Sequence, residues 1–243
     1  MSMDSYQQFC PMAMAAEVLC CRWTLLVVRE LLLGSAHFND LRRGVPRMSP
    51  ALLAKRLKEL EAAGIVVRKP AARQAHTHSY QTHSYELTQA GQELRPIVEA
   101  MGVWGQRWVT TEATLRHLDA NLLMWDMRRN VNPEPEPSAR TTIEFIFDGS
   151  VAAACKYWLV VERGHEVDLC TVDPGFDVDL YVATDLRTLT EVWLGYLDWA
   201  QARRSGAIHV SGSVGRESEL RAWLRLSSFA GVPKQVALAG SSQ

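Results

Sequence analysis

The sequence lacks any apolar run approaching the ~18–20 residues needed to span a bilayer, and no membrane partner is expected. Cysteine is scarce: there are five in 243 residues, an odd number. Cys20 and Cys21 are adjacent and Cys10, Cys155 and Cys170 are scattered, so no disulfide framework is legible. Such usage suits a reducing compartment. Met1-Ser2-Met3-Asp4-Ser5-Tyr6 lacks a basic region followed by an apolar one, which predicts no signal peptide and a cytoplasmic protein. Catalytic arrangements are missing too. There is no glycine-rich phosphate loop, no pair of histidine ligands and no nucleophile elbow. An enzyme, a cofactor and a metal site are therefore not expected.

An excess of either charge is also missing, since the net charge is −1, but the balance is uneven along the chain. Residues 1–110 carry 13 Lys and Arg against 9 Asp and Glu, a net of +4, while residues 111–243 carry 13 against 18, a net of −5. A basic first half suits a polyanion, and an acidic second half would repel one. The length allows two domains with separate cores. The expected division is 1–110 and 111–243. Asn132-Pro133-Glu134-Pro135-Glu136-Pro137-Ser138 places proline at every second position. Proline cannot continue a helix or serve an inner strand, so a linker is predicted over about 132–141.

Helical periodicity dominates the first half. Pro11–Leu19 and Arg22–Leu33 read as apolar helices, the second ending at Gly34, and Phe38–Arg43 as a short one. Ser49 can cap the free N–H groups of a further helix, and Pro50 fits its first position, where the missing N–H costs nothing. That helix runs to Ala63, and Gly64 ends it. Ile65-Val66-Val67 and Tyr85-Glu86-Leu87 read as two strands around a long loop. Thr88 then caps a helix running from Gln89 beyond Trp108. Three helices, a hairpin and a closing helix make a mainly α winged helix-turn-helix domain.

On the helix after Ser49, Leu52, Leu53, Leu57 and Leu60 fall on one arc, the core face. Ala51, Ala54, Lys55, Lys58 and Ala62 fall on the opposite arc. Small and basic residues there let a helix lie deep in a major groove and meet phosphates. Arg56 falls within the core arc and is expected to serve structure. Arg68, Lys69 and Arg73 stand in the hairpin with no acid from Arg68 to His83, as a wing on backbone phosphates requires. The candidate DNA-binding set is Ser49, Pro50, Ala51, Ala54, Lys55, Lys58, Arg68, Lys69 and Arg73. His76, His78 and His83 lack a nearby cysteine or carboxylate and read as polar loop residues. Thr77-His78-Ser79-Tyr80 recurs as Thr82-His83-Ser84-Tyr85, a duplication that lengthens the wing.

Several stretches together resemble the HxlR family of winged-helix regulators over about residues 9–109. They are Cys10-Pro11, Arg22-Trp23-Thr24-Leu25-Leu26, Arg29-Glu30-Leu31, Phe38-Asn39-Asp40-Leu41, Ser49-Pro50, Arg56-Leu57-Lys58-Glu59-Leu60-Glu61, Gly64-Ile65-Val66 and Tyr85-Glu86-Leu87-Thr88. The resemblance implies a homodimer on a partly palindromic double-stranded DNA operator. It also places Cys10 where some members carry a reactive cysteine, which makes Cys10 a redox candidate. Ala51 stands where the family often has a polar or basic residue, and the wing is longer. Leu94, Ile97, Met101, Trp104 and Trp108 recur at helical spacing, more apolar surface than so small a domain buries by itself, and form the candidate dimerisation face.

The second half reads as an α+β domain, an antiparallel sheet with helices on one side. Ile143, Phe145 and Phe147 alternate with other residues, as do Leu159/Val161, Val167/Leu169 and Val178/Leu180/Val182. Ile208–Val210 reads as a further strand. Asp185 caps a helix bearing Leu186, Leu189, Trp193, Tyr196 and Leu197 on one stripe, and Glu217–Leu226 forms another. Asp173, Asp177 and Asp179 flank Pro174-Gly175 as turn residues. The run from Val172 to Leu180, with Asp185-Leu186 through Gly195, Ile208–Gly212 and Leu220-Trp223-Leu224, resembles the sterol-carrier-protein-like domain over about 112–231. That resemblance implies an apolar tunnel and a ligand sensor. The candidate ligand-binding residues are Phe145, Phe147, Leu159, Leu189, Trp193, Tyr196 and Leu197, and the partner a small apolar or aromatic effector. The helix expected over Leu115–Met127 would be the lever. Two functions compete: a ligand-responsive regulator, and a thiol-switch regulator acting through Cys10.

Overall fold

The structure, a computed structural model, describes residues 5–70, 83–134, 136–137, 139–148 and 155–235. Arg73, His76, His78, Pro135, Ser138 and most of the duplicated wing segment lie outside the described residues. The chain divides into two compact units, Met1–Gly102 and Val103–Gln243.

The first unit opens with α1 (Pro11–Leu19), α2 (Thr24–Leu32), α3 (Phe38–Gly44) and α4 (Pro50–Ala62). Ser49 Oγ accepts the Leu52 N–H at 3.3 Å and Pro50 stands in the first turn, so α4 starts where the cap dictates. Strands β1 (Val66–Pro70) and β2 (His83–Leu87) pair antiparallel, Val66 opposite Leu87. The Tyr85 N–H donates to the Ala36 carbonyl at 2.7 Å, which ties the hairpin to the segment before α3. Val27, Val28, Leu41, Leu53, Leu57 and Leu60 are buried in one cluster beneath these elements.

The expected single closing helix is two. α5 (Gln89–Gln92) is capped by Thr88, and α6 (Arg95–Trp108) follows after a break. Pro96 has no N–H to donate to the Gln92 carbonyl and sits in the first turn of α6, where that loss costs nothing, so the ladder is interrupted at Glu93 and Leu94 and restarts at Arg95. A side chain at Gly91 would place its Cβ 2.3 Å from the Ile65 carbonyl oxygen, so only glycine lets α5 approach the end of β1.

In the second unit, α7 (Thr111–Thr114) and α8 (Ala120–Asn130) replace the helix expected over Leu115–Met127. Asp119 is extended, and its carboxylate accepts the Leu122 N–H at 3.1 Å, starting α8 afresh. The strands are β3 (Thr141–Phe147), β4 (Cys155–Val161), β5 (Asp168–Cys170), β6 (Leu180–Thr184) and β7 (Ile208–Gly212). Helices α9 (Leu186–Trp193) and α10 (Trp199–Arg204) precede β7, and α11 (Arg216–Trp223) follows it.

The sheet order is β5-β4-β3-β6-β7. It is mixed rather than antiparallel, because β6 runs parallel to β3, with Phe145 opposite Val182. After the β3-β4-β5 meander, residues 171–179 carry the chain past two strands, and a strand entering on the far side of β3 in that direction is parallel to it. β3 is also buried on both faces, Thr142 and Glu144 included, which is the fate of a central strand rather than of the half-buried one that its alternation suggests. One face, bearing Ile143, Phe145, Leu159 and Val182, packs with residues of α8, α9, α10 and α11 into a single core.

The described residues of the Pro-rich segment expected as a linker make fixed contacts within the second unit. The Asn132 N–H donates to the Trp223 carbonyl at 2.9 Å, Val131 bridges Leu224, and Arg163 Nε meets Glu136 Oε2 at 2.9 Å. Thr141, expected in the linker, already belongs to β3.

Candidate nucleic-acid interface

The turn between α3 and α4 sets the presentation of α4. Glu30 of α2 is fully buried, with Oε1 2.6 Å from Arg29 Nη2. Arg29 Nη2 also donates to the Gly44 carbonyl at 3.2 Å. A Cβ on Gly44 would lie 1.8 Å from Glu30 Oε2, so glycine lets α3 press onto this buried carboxylate. Val45 and Met48 are buried within the turn after α3. A buried charge so placed needs its partners, because losing one would leave it uncompensated.

With Leu53, Leu57 and Leu60 buried, the opposite face of α4 meets solvent. Ala51, Ala54, Lys55, Lys58, Glu59 and Ala62 line an open depression of about 390 Å³ on it. The alanines keep the helix slender and the two ammonium groups flank it, the shape and charge that a major groove admits. Arg56 is turned back: its side chain is 14% exposed, pairs with Glu59 and donates from Nε to the Arg22 carbonyl at 3.1 Å. Ser49 and Pro50 stand exposed at the N-terminal end of α4, the end whose helix dipole favours anions.

In the hairpin Arg68 is exposed, with Nη2 3.0 Å from His83 Nδ1. Lys69 is not free of acids as its own strand suggests. Glu86 of β2 brings Oε2 to 2.6 Å from Lys69 Nζ, a cross-strand pair invisible until the register is known. The basic residues that sequence reasoning passed over are Arg42, Arg43 and Arg47, all exposed at the end of α3 and in the turn before α4. Their spacing within a helix-turn-helix was the signal available.

Of the apolar face assigned to dimerisation, Ile97, Met101, Trp104 and Trp108 are exposed, Trp104 by 62%. Leu94 is not among them, because it packs against the core of the first unit. Phe9, wholly exposed, and Met12 and Met14 of α1 add apolar surface that was not assigned a role. Cys10 sits exposed at the start of α1, where the backbone N–H groups of Ala13 and then Met12 lower its thiol pKa.

In the second unit Phe145, Phe147, Leu159, Leu189 and Trp193 join one buried cluster, and Leu197 packs against it. Tyr196 does not join them as a member of one helical stripe. α9 ends at Trp193, Gly195 turns the chain at φ +76°, and the Tyr196 hydroxyl donates to Gln106 Oε1 at 2.9 Å. Among the described residues no group of three His, Cys, Asp or Glu side chains gathers to hold a metal. Nor is any single helix among them long and apolar enough to cross a membrane.

The HxlR-like helix-turn-helix family model matches residues 18–113. The uncharacterized HTH-type transcriptional regulator YvaP of Bacillus subtilis (strain 168) is 33% identical over 103 residues, covering 42% of this chain and 91% of YvaP. The uncharacterized HTH-type transcriptional regulator Rv3095 of Mycobacterium tuberculosis (strain ATCC 25618 / H37Rv) is 30% identical over 146 residues, covering 53% of this chain and 87% of that protein. Among solved structures, the reduced form of the transcriptional regulator YodB from B. subtilis is 30% identical, covers 41% of this chain and 93% of that one, and has a TM-score of 0.34. With the winged helix described above and this identity across nearly the whole of YvaP, the chain belongs to the HxlR-like helix-turn-helix family of transcriptional regulators.

Proposed function

We propose that the protein is a homodimeric regulator that inserts α4 of each copy into successive major grooves of a two-fold operator. The exposed face of α4, small in Ala51 and Ala54 and basic in Lys55 and Lys58, carries the reading. Ser49, Pro50, Arg68, Lys69 and Arg73 contribute phosphate contacts around it. Two-fold operators match two-fold proteins, and the exposed Ile97, Met101, Trp104 and Trp108 supply an apolar face for the second copy. The test combines sedimentation with DNA titration. A dimer that protects two half-sites one helical turn apart is expected, and a monomer bound to a single site refutes the arrangement.

The second unit acts as a sensor for a small apolar or aromatic effector held among Phe145, Phe147, Leu159, Leu189, Trp193 and Leu197. Phe145, Phe147, Leu159, Leu189 and Trp193 are buried in one apolar cluster between sheet and helices, so an effector has to part them to enter. Such a ligand regulates only if it binds the DNA-competent and incompetent states unequally. Thermal-shift screening of hydrophobic ligands, followed by operator titration, tests this. Ligands that shift neither melting nor affinity leave the unit a scaffold.

A second reading rests on Cys10, whose exposed thiol and lowered pKa favour the reactive thiolate. In that reading a mild thiol oxidant changes operator affinity in the wild type and not in Cys10→Ser. Equal responses in the two proteins reject it.

A further inference from the structure

We propose that Glu59 is a specificity-determining residue that accepts a hydrogen bond from the N4 amine of a cytosine in the operator. The inference rests on α4 being the helix that enters the major groove. Glu59 lines the depression with Ala51, Ala54, Lys55, Lys58 and Ala62, and its side chain is 45% exposed. An acid on a surface that meets a polyanion weakens binding to every DNA sequence alike. Here Arg56 and Lys55 offset that charge, which leaves a carboxylate whose remaining lone pairs can accept a hydrogen bond from a base edge. A carboxylate only accepts hydrogen bonds, and the cytosine N4 amine is the major-groove donor that it matches.

The local geometry prepares Glu59 for this role. Arg56 pairs with Oε2 and is itself fixed by its Nε donation to the Arg22 carbonyl, so the carboxylate is held from behind α4. Oε1 faces Lys55 Nζ across 3.9 Å, a separation at which the ammonium offsets the charge without a close hydrogen bond. The neighbouring alanines let the helix come near enough for a side chain of this length to reach a base edge. Lys55 and Lys58 then supply affinity, and Glu59 supplies discrimination.

The experiment selects duplexes from a random-sequence library with the full-length wild type, Glu59→Gln and Glu59→Ala. Affinities are then measured for the wild-type selection, its single-position changes and a scrambled duplex. The wild type is expected to require a C·G pair at one position of each half-site. Glu59→Gln should move that preference toward A·T, because an amide pairs with adenine N6 and N7. Glu59→Ala should flatten it and lower the ratio of selected to scrambled affinity about tenfold. If Gln and Ala behave alike, strengthening all DNA binding with base preference unchanged, Glu59 contributes only bulk charge and the proposal fails. A lower melting temperature with preference intact reduces Glu59 to an anchor for Arg56 and also overturns it. A wild type that selects no sequence at all removes the DNA-reading role of α4 itself, before either variant is compared.

Discussion

α6 and α9 are both amphipathic helices with a tryptophan on the apolar face, and they meet opposite fates. Leu189, Val192 and Trp193 of α9 are buried against the sheet of the second unit. Ile97, Met101 and Trp104 of α6 stand exposed. Hydrophobic periodicity states that a face needs cover, and does not state what covers it. For α9 the cover lies in the same chain. For α6 nothing in the same chain covers Ile97, Met101 and Trp104 among the described residues, and a second copy is the proposed cover.

The largest effect that could break this comparison is expected from paired truncations. Phe145→Ala should cost the second unit about 3–5 kcal/mol, because the ring is wholly buried among β4, β6 and the helices. Trp104→Ala should change the unfolding free energy of dilute monomer by only about 0.5 kcal/mol, yet weaken self-association by about 2 kcal/mol or more. Denaturant melts and sedimentation equilibrium separate the two quantities. Similar losses of monomer stability in both variants would erase the distinction between the helices.

Gly44→Ala comes next, at about 1–3 kcal/mol of overpacking where α3 meets buried Glu30. Thermal melting reads the cost. Operator titration should show a parallel loss, since α4 departs from the same turn. An unchanged melting temperature would mean that the Glu30 carboxylate yields and does not hold α3.

Two lysines sharpen the contrast between a cation with no acid partner among the described residues and a paired one. Lys58→Ala should lower the slope of log affinity against log salt by about 1. Lys69→Ala should lower it less, because Glu86 already answers that charge at 2.6 Å. Equal slopes would show that the Lys69–Glu86 pair opens on DNA.

The smallest effect concerns pH. The Arg203 guanidinium donates to both oxygens of Glu217, at 2.8 and 3.1 Å, and this holds the Glu217 pKa below its usual value. A carboxylate lowered on folding stabilises the fold fully above its unfolded pKa, about 4.5, and that contribution is lost as pH falls through the lowered value. Melting curves of wild type and Glu217→Gln should therefore differ at neutral pH and converge in acid. Curves that stay parallel would show that the α10–α11 clip is not electrostatic.

The first unit was legible where local rules act alone. Ser49-Pro50 announced α4, and the leucine arc placed its core face correctly, Arg56 included. Pro96 is the local mark of the break between α5 and α6, which continuous apolar spacing by itself hides. In the second unit the strands of β3, β4, β6 and β7 were read from alternation, while their order was not. A parallel partner for β3 depends on which edge the chain reaches after β5, and no residue pattern encodes that choice.

By itself the sequence determined the features that neighbours a few residues apart dictate: caps, helical faces, the winged-helix order, and a small basic surface on α4. Tertiary structure alone decided the features that depend on partners distant along the chain. It brought Glu86 to Lys69, set Gly44 against Glu30, fixed Glu59 through Arg56 and Arg22, and tied the start of the Pro-rich segment to the end of α11. The reason is range. Backbone hydrogen bonds and side-chain periodicity act within a turn or a strand, whereas charge pairing and close packing act between whichever surfaces the fold brings into contact.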